Sequence, residues 1–310
     1  MNKESFADSY QRAIQQANQL IAQKDYPEAI SFLIAHYEKE SLMEYNQLLA
    51  QAYFLQGNHL QALQVAKEMM TDYRKTKETR IFYVQLLLMN QQFIQAWVFL
   101  YPVAKEIDVV EETQLLLEME TLLGNQSEQY LLEKKEQLKQ FLAPDFYVHS
   151  TAFTKWLIGL TANQFRLIAI SAIQEPTNGS VIARICEILV KTGERGTHLV
   201  YDGDQVRPLA FAELQLLEDS PLPQILQESL SKRLAKDSVL QEMVYQELLG
   251  HFAYCFPFLP KEEEVDDWIA VYLADLIQIK EPVDSAQRQY RQGIKEKKRR
   301  IQTYFENALK

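Results

Sequence analysis

His251 and Cys255 are the two residues whose types and spacing come nearest to a metal site in this chain. On a helix they lie one turn apart, so an imidazole and a thiolate could bind the same zinc ion. A complete site needs further ligands, and no second His/Cys pair follows nearby. The aromatic neighbours Phe252, Tyr254 and Phe256 predict instead a buried core helix. We therefore expect neither a metal ion nor a cofactor.

An acidic run from Glu262 to Asp267 is the other cluster of candidate ligands or catalytic groups. It stands at the start of a predicted helix, where negative charge is favourable. Capping and solvation explain these carboxylates without catalysis. The sequence also lacks a glycine-rich phosphate loop and a nucleophile elbow, and its five histidines are scattered. We expect no enzymatic activity; the alternative is an active site assembled from residues distant in sequence.

The composition is that of a chain that is helical almost throughout. Only nine of 310 residues are glycine, whereas Leu, Gln, Glu, Ala and Lys are abundant. Two cysteines are too few for a disulfide framework and suit a reducing compartment. The N-terminal residues lack the pattern of a signal peptide. Amide side chains interrupt the longest uncharged stretch, Ile81 to Ala104, so it is not apolar enough for a membrane-spanning helix. These features predict a cytoplasmic protein without a membrane-spanning helix.

The net charge of −10 is unevenly distributed. Ser285 to Lys310 carry eight basic and two acidic residues, whereas the rest of the chain is strongly acidic. The acidic balance argues against general nucleic-acid binding. We expect the basic segment to pack against its own acidic body or a second copy, with RNA and anionic lipid as alternatives. Its apolar residues recur at helical spacing: Tyr290, Ile294, Ile301, Phe305 and Ala308.

Three short segments recur at a long period near the N-terminus. Lys24 to Ala29, Gly57 to Ala62 and Gln91 to Ala96 align, with their alanines 33 and 34 residues apart. Helix-length segments flank each one, which predicts pairs of antiparallel helices. Over Ser5 to Leu142 this pattern resembles the tetratricopeptide repeat, a helix-turn-helix of about 34 residues. A fourth unit lacks the small residues of the pattern, which indicates a cap or a junction.

The resemblance implies a concave surface lined by the first helix of each pair, where members of the family bind their ligands. Its inward positions hold amides, carboxylates and apolar side chains but no Lys or Arg, so the surface could not clamp a terminal carboxylate. We predict that this surface binds a protein or peptide partner through an apolar or basic helical segment. That segment could also be this chain's own C-terminal helix. The alternative is simple packing against a neighbouring helix. The predicted site residues are Asn18, Ile21, Glu44, Gln47, Gln51, Phe54, Leu55, Glu78, Gln85, Leu88 and Met89.

The period is lost from Pro144, although the chain stays helical. We predict a repeat domain over 1–143 and a second helical domain over 144–310. Asp202-Gly203 between two short extended segments indicates a β-hairpin near 197–208. The predicted helices of this half are Thr154 to Leu160, Ala162 to Gln174, Ser180 to Lys191, Phe211 to Asp219, Gln224 to Ala235, Val239 to Phe256, Glu262 to Gln278 and Asp284 to Leu309.

Helices followed by a hairpin are also the order of a winged-helix DNA-binding module. The helix that would enter the groove offers only Arg184 and Lys191 to phosphates, and the hairpin tip is acidic at Asp202 and Asp204. These residues argue against the module. A nucleic-acid-binding regulator is kept as the alternative to a scaffold.

The layout of the C-terminal half is similar to that of uncharacterised tetratricopeptide-repeat proteins of Gram-positive bacteria. The similarity includes an apolar helix, a short hairpin, and the stretch Leu249 to Phe258 that leads to Trp268. This resemblance implies no activity. We therefore predict an all-α protein, with a tetratricopeptide-like superhelix of helical hairpins and a second helical domain with one small β-hairpin. Its predicted function is a protein-interaction scaffold without catalysis of its own.

Overall fold

The computed structural model describes residues 6–125, 127–143, 151–177, 179–277 and 284–308. Within these ranges the chain forms sixteen α-helices, four short 3-10 helices and one two-stranded sheet, which confirms the predicted all-α class. None of the helices in this part of the chain is both long enough and apolar enough to cross a membrane. The chain divides into two compact units, Met1–Gln126 with Leu157–Ala162, and Ser127–Trp156 with Asn163–Lys310.

The first unit is a series of helix pairs. Each helix packs against the next one along the chain, as α1 does against α2 and α3 against α4. The apolar faces meet in one continuous core. Its helices are α1 Phe6–Ala22, α2 Tyr26–Tyr37, α3 Met43–Leu55, α4 His59–Lys67, α5 Met70–Tyr73, α6 Lys77–Met89, α7 Phe93–Leu100 and α8 Val110–Leu123.

The turns inside the three pairs α1–α2, α3–α4 and α6–α7 are built alike. Two residues after the end of each first helix, the chain adopts a positive φ: Lys24 at 62°, Gly57 at 89° and Gln91 at 55°. The following backbone N–H then donates to the carbonyl five residues earlier, which closes the helix end. These bonds run from Asp25 to Leu20 (3.0 Å), from Asn58 to Tyr53 (2.9 Å) and from Gln92 to Leu87 (2.9 Å).

Ala29, Ala62 and Ala96 occupy the same place in successive pairs. Each is the fourth residue of its helix, in α2, α4 and α7 respectively, and each is completely buried. Each alanine N–H donates to the carbonyl of the residue that precedes its helix, at 3.0–3.1 Å. A methyl side chain at this point lets two helices approach closely. The period seen in the sequence is therefore a structural repeat.

The fourth unit of the sequence does not continue this turn. Gly124 follows α8 in an extended conformation rather than at positive φ, and its N–H donates to the Glu120 carbonyl four residues earlier. The next helix, α9 at Glu128–Phe141, belongs to the second compact unit. The compact units divide after Gln126, and the domain boundary predicted at 143 stays a prediction. Pro144, where we predicted that the period is lost, lies outside the described residues.

The second unit contains the remaining helices and the hairpin. The hairpin is antiparallel, with Thr197 opposite Ala210 and Tyr201 opposite Val206. Leu226, Val244 and Phe252 are among the fully buried residues of its core. Its elements are α9, α10 Thr151–Leu157, α11 Ala162–Ala172, α12 Gly179–Lys191, β1 Thr197–Tyr201, β2 Val206–Ala210, α13 Leu222–Arg233, α14 Ser238–Cys255, α15 Val265–Ile277 and α16 Ser285–Ala308. Leu157, the last residue of α10, and Ala162, the first residue of α11, belong to the segment Leu157–Ala162 of the first unit.

The predicted helix Phe211 to Asp219 is wrong, because this segment forms two 3-10 turns with extended backbone between them. Phe211 and Leu216 are both buried. In an α-helix, residues five apart point about 140° away from each other, so the extended link lets both reach the core. The predicted helix ends at Gln278 and Leu309 lie outside the described residues.

The basic terminal helix α16 packs against α14 and α15 of its own chain. Ile294, Ile301 and Tyr304 are buried in this packing, whereas Tyr290 is exposed. Phe305 is half-buried, and the side chain of Ala308 lies outside those described. Ion pairs join α16 to acidic residues: Arg291 with Asp267 at 2.7 Å, Lys298 with Asp275 at 2.9 Å and Arg300 with Asp204 at 3.1 Å.

Candidate functional site

Side-chain contacts link the first helices of the three pairs, α1, α3 and α6, and then helix α8, in this order. The rings of Tyr10 and Tyr45, 5.5 Å apart, join α1 to α3. Those of Phe54 and Phe82, 5.8 Å apart and edge to face, join α3 to α6. Two ion pairs join α6 to α8. This order is the one that a ligand surface lined by first helices requires.

Two exposed carboxylates mark the start of α3 and α6. Glu44 and Glu78 each lie in the first helical turn. Bonds from its own backbone N–H and from the Thr76 hydroxyl hold the pKa of Glu78 below its usual range. Burial and then the charge of Glu44 raise the pKa of Tyr10 to about 12. This end of the surface is therefore acidic.

Three amides follow along the same helices. Gln47 and Gln51 on α3 and Gln85 on α6 are half-buried. Among the described residues, no side chain or backbone group forms a hydrogen bond with these amides, so their donors and acceptors are available to a ligand. Asn18 differs because its amide donates to the Ile14 carbonyl of its own helix at 2.9 Å.

Apolar side chains lie at the far ends of α3 and α6. Leu55 and Met89 are the last residues of these helices and are 44% and 40% exposed. Phe54 and Ile21 are half-buried against the core of the first unit. Leu88 is completely buried, so it cannot contact a ligand, and we leave it out of the surface.

These residues form one graded surface on α3 and α6. It runs from carboxylates through amides to exposed apolar side chains over about 16 Å of helix. We call it the α3–α6 surface, and its members are Glu44, Gln47, Gln51, Leu55, Glu78, Gln85 and Met89.

His251 and Cys255, the pair considered for zinc, are engaged in the core of the second unit. The His251 ring stacks on Phe305 at 6.2 Å, and its Nδ1 is hydrogen-bonded to the Tyr272 hydroxyl. Burial and then the charge of Lys298 lower the pKa of His251 to about 4. Burial raises the pKa of the Cys255 thiol to about 11. In the described part of the chain, no cluster of three or more His, Cys, Asp or Glu residues could hold a metal ion.

The helix and hairpin considered for DNA binding are engaged within the chain as well. Helix α12 is buried on nearly every face, including Ile182, Ile185 and Leu189, so it has no free face to enter a groove. At the hairpin tip, Asp202 forms an ion pair with Arg207 and accepts the N–H groups of two following residues. The tip is an acidic turn that its own backbone stabilises.

Comparisons with protein-family models, curated proteins and solved structures found no match to this chain. The site must therefore be interpreted from its own residues.

Proposed function

We propose that the first unit is a tetratricopeptide-like superhelix that binds a helical segment of a partner protein, without catalysis of its own. The observation that carries this proposal is the α3–α6 surface, where three half-buried amides without intramolecular partners lie between exposed carboxylates and exposed apolar side chains. Repetition of the same turn at Lys24, Gly57 and Gln91 supports the superhelical arrangement.

The chemistry of the surface defines the partner. Glu44 and Glu78 favour basic residues at one end of the partner helix. Leu55 and Met89 favour apolar side chains at the other end, because contact would remove them from water. Lys77, which precedes Glu78 in the sequence, is already paired with Glu111 at 2.6 Å. We therefore infer an amphipathic partner helix of about three turns, basic at one end and apolar at the other.

A display library of helical peptides, panned on the full-length chain, tests this function. We expect enrichment of peptides with Lys or Arg at one end and Leu, Ile or Phe at the other. Titration should then show binding at least about tenfold weaker for Gln47→Lys, because the added cation would lie one helical turn from Glu44, at the end that faces the basic residues of the partner.

Gln64 provides the matched control for that substitution. It is an exposed glutamine on α4, the second helix of its pair and thus outside the α3–α6 surface. Gln64→Lys should leave peptide binding unchanged. Equal loss in both variants, or enrichment of acidic peptides, would contradict the proposal.

A further inference from the structure

A cavity of about 610 Å³ lies in the second unit, among α12, α14 and α16. Four aromatic side chains, Tyr254, Phe256, Tyr304 and Phe305, line it together with aliphatic residues such as Leu249. This volume is within the range of small-molecule sites, about 300–1,000 Å³, and mostly apolar walls are typical of them. Neither the repeat nor the α3–α6 surface accounts for this cavity.

The charged groups at the edge of the cavity already neutralise each other. Glu187 pairs with Arg184 at 2.8 Å and with Lys191 at 2.6 Å, and Lys191 also pairs with Glu218 at 3.0 Å. Two cations therefore face two carboxylates. A charged ligand would lose its hydration without gaining an unpaired counter-charge. The cavity thus favours an uncharged ligand.

One aromatic wall is held in place before any ligand binds. The Tyr254 hydroxyl accepts the Gly179 backbone N–H at 3.1 Å. A Cβ at Gly179 would lie only 2.5 Å from Cε1 of Tyr254, so the ring occupies space that glycine leaves open. These two contacts fix the ring as a preformed face on which a ligand ring can stack.

Gly250 widens the cavity at a position where close packing does not explain the choice of glycine. This glycine lies within α14 and lines the cavity. A Cβ there would meet no atom within 4 Å. Glycine is unfavourable inside a helix, and no close neighbour demands it at this position. Its effect is to widen the cavity.

We propose that this cavity binds an uncharged, ring-containing apolar small molecule. The aromatic walls supply stacking surfaces, the paired edge charges exclude ions, and Gly250 leaves room for the ligand.

Two fluorescent probes that share one ring skeleton test the ligand class on the full-length chain. N-phenyl-1-naphthylamine is uncharged, and 1-anilinonaphthalene-8-sulfonate adds a sulfonate. We expect saturable binding of the uncharged probe, with the sulfonate at least about tenfold weaker. Equal or tighter binding of the sulfonate would overturn the uncharged class, and absence of saturation by the uncharged probe would overturn the site.

A pair of glycine substitutions tests the location. Gly250→Trp should fill the cavity and weaken binding of the uncharged probe by at least about tenfold. Gly293→Trp is the control, because Gly293 also lies within a helix beside open space but does not line the cavity. Gly293→Trp should bind the probe like the wild type.

Circular dichroism establishes that each variant is folded. If Gly250→Trp does not fold, Gly250→Leu takes its place, since it is smaller and still occupies the space. Unchanged probe binding in a folded Gly250 variant, or the same loss in Gly293→Trp, would overturn the proposal.

Discussion

Neutralising one partner of the buried ion pair between α6 and α8 should destabilise the first unit strongly. Arg80 Nε donates to Glu112 Oε1 at 2.8 Å, and the two side chains are only 5% and 2% exposed. Arg80 Nη1 also donates to the Arg74 carbonyl at 3.1 Å. Glu112→Gln keeps the shape of the side chain but leaves the guanidinium buried without a counter-charge. Removing one partner of such a pair costs about 3–5 kcal/mol.

Urea unfolding at pH 7, followed by circular dichroism, measures this loss as a lower free energy of unfolding. Hydrogen exchange of α6 and α8 assigns the loss to the first unit. The double variant Arg80→Met with Glu112→Leu should recover most of the loss, because apolar residues of similar volume replace a buried pair at little or no cost.

The same two helices provide a matched control. Lys77 and Glu111 also pair across α6 and α8, at 2.6 Å, but their side chains are 47% and 63% exposed. Glu111→Gln should change the free energy of unfolding little, since solvent screens an exposed pair. The reasoning is refuted if Glu112→Gln costs no more than Glu111→Gln, or if the double variant is no more stable than the single one.

Two further predictions concern titration and backbone conformation. Burial lowers the pKa of His251 from its ordinary value of 6.5 to about 4 in the folded chain, so between these values only the unfolded chain binds the proton. The free energy of unfolding should therefore fall by up to about 3 kcal/mol from pH 7 to pH 4 in urea titrations, and by less in His251→Gln. Gly57→Ala should destabilise by about 1 kcal/mol and Gln91→Gly should stabilise by a similar amount, because both residues have positive φ. Thermal unfolding measures both changes. If Gly57→Ala and Gln91→Gly shifted the stability in the same direction, this account of positive φ would be contradicted.

Local patterns predicted much of the fold. The spacing of Ala29, Ala62 and Ala96 predicted helix pairs, and the structure places these alanines at equivalent positions. Asp202-Gly203 predicted the hairpin, and Gly203 does adopt a positive φ. Such features depend on residues within a few positions of each other, so the sequence carries them directly.

Local patterns failed where a distant contact decides the conformation. Periodicity did not separate Leu88 from Met89, although one is buried in the core and the other is exposed. Adjacent residues point about 100° apart on a helix, and the packing of neighbouring helices decides which of them faces solvent. Lys24 and Gln91 likewise adopt positive φ without being glycine, because the turn that joins two packed helices requires it.

The sequence alone thus determined the helical class, the repeated pairs and the types of residue on the α3–α6 surface. Only the tertiary structure decided the partners of Arg80 and His251 and brought Arg184, Tyr254 and Phe305 to one cavity. The physical reason is that helix formation and turns depend on neighbours along the chain. Burial, ion pairing and cavity shape depend on how all the side chains of a unit pack together.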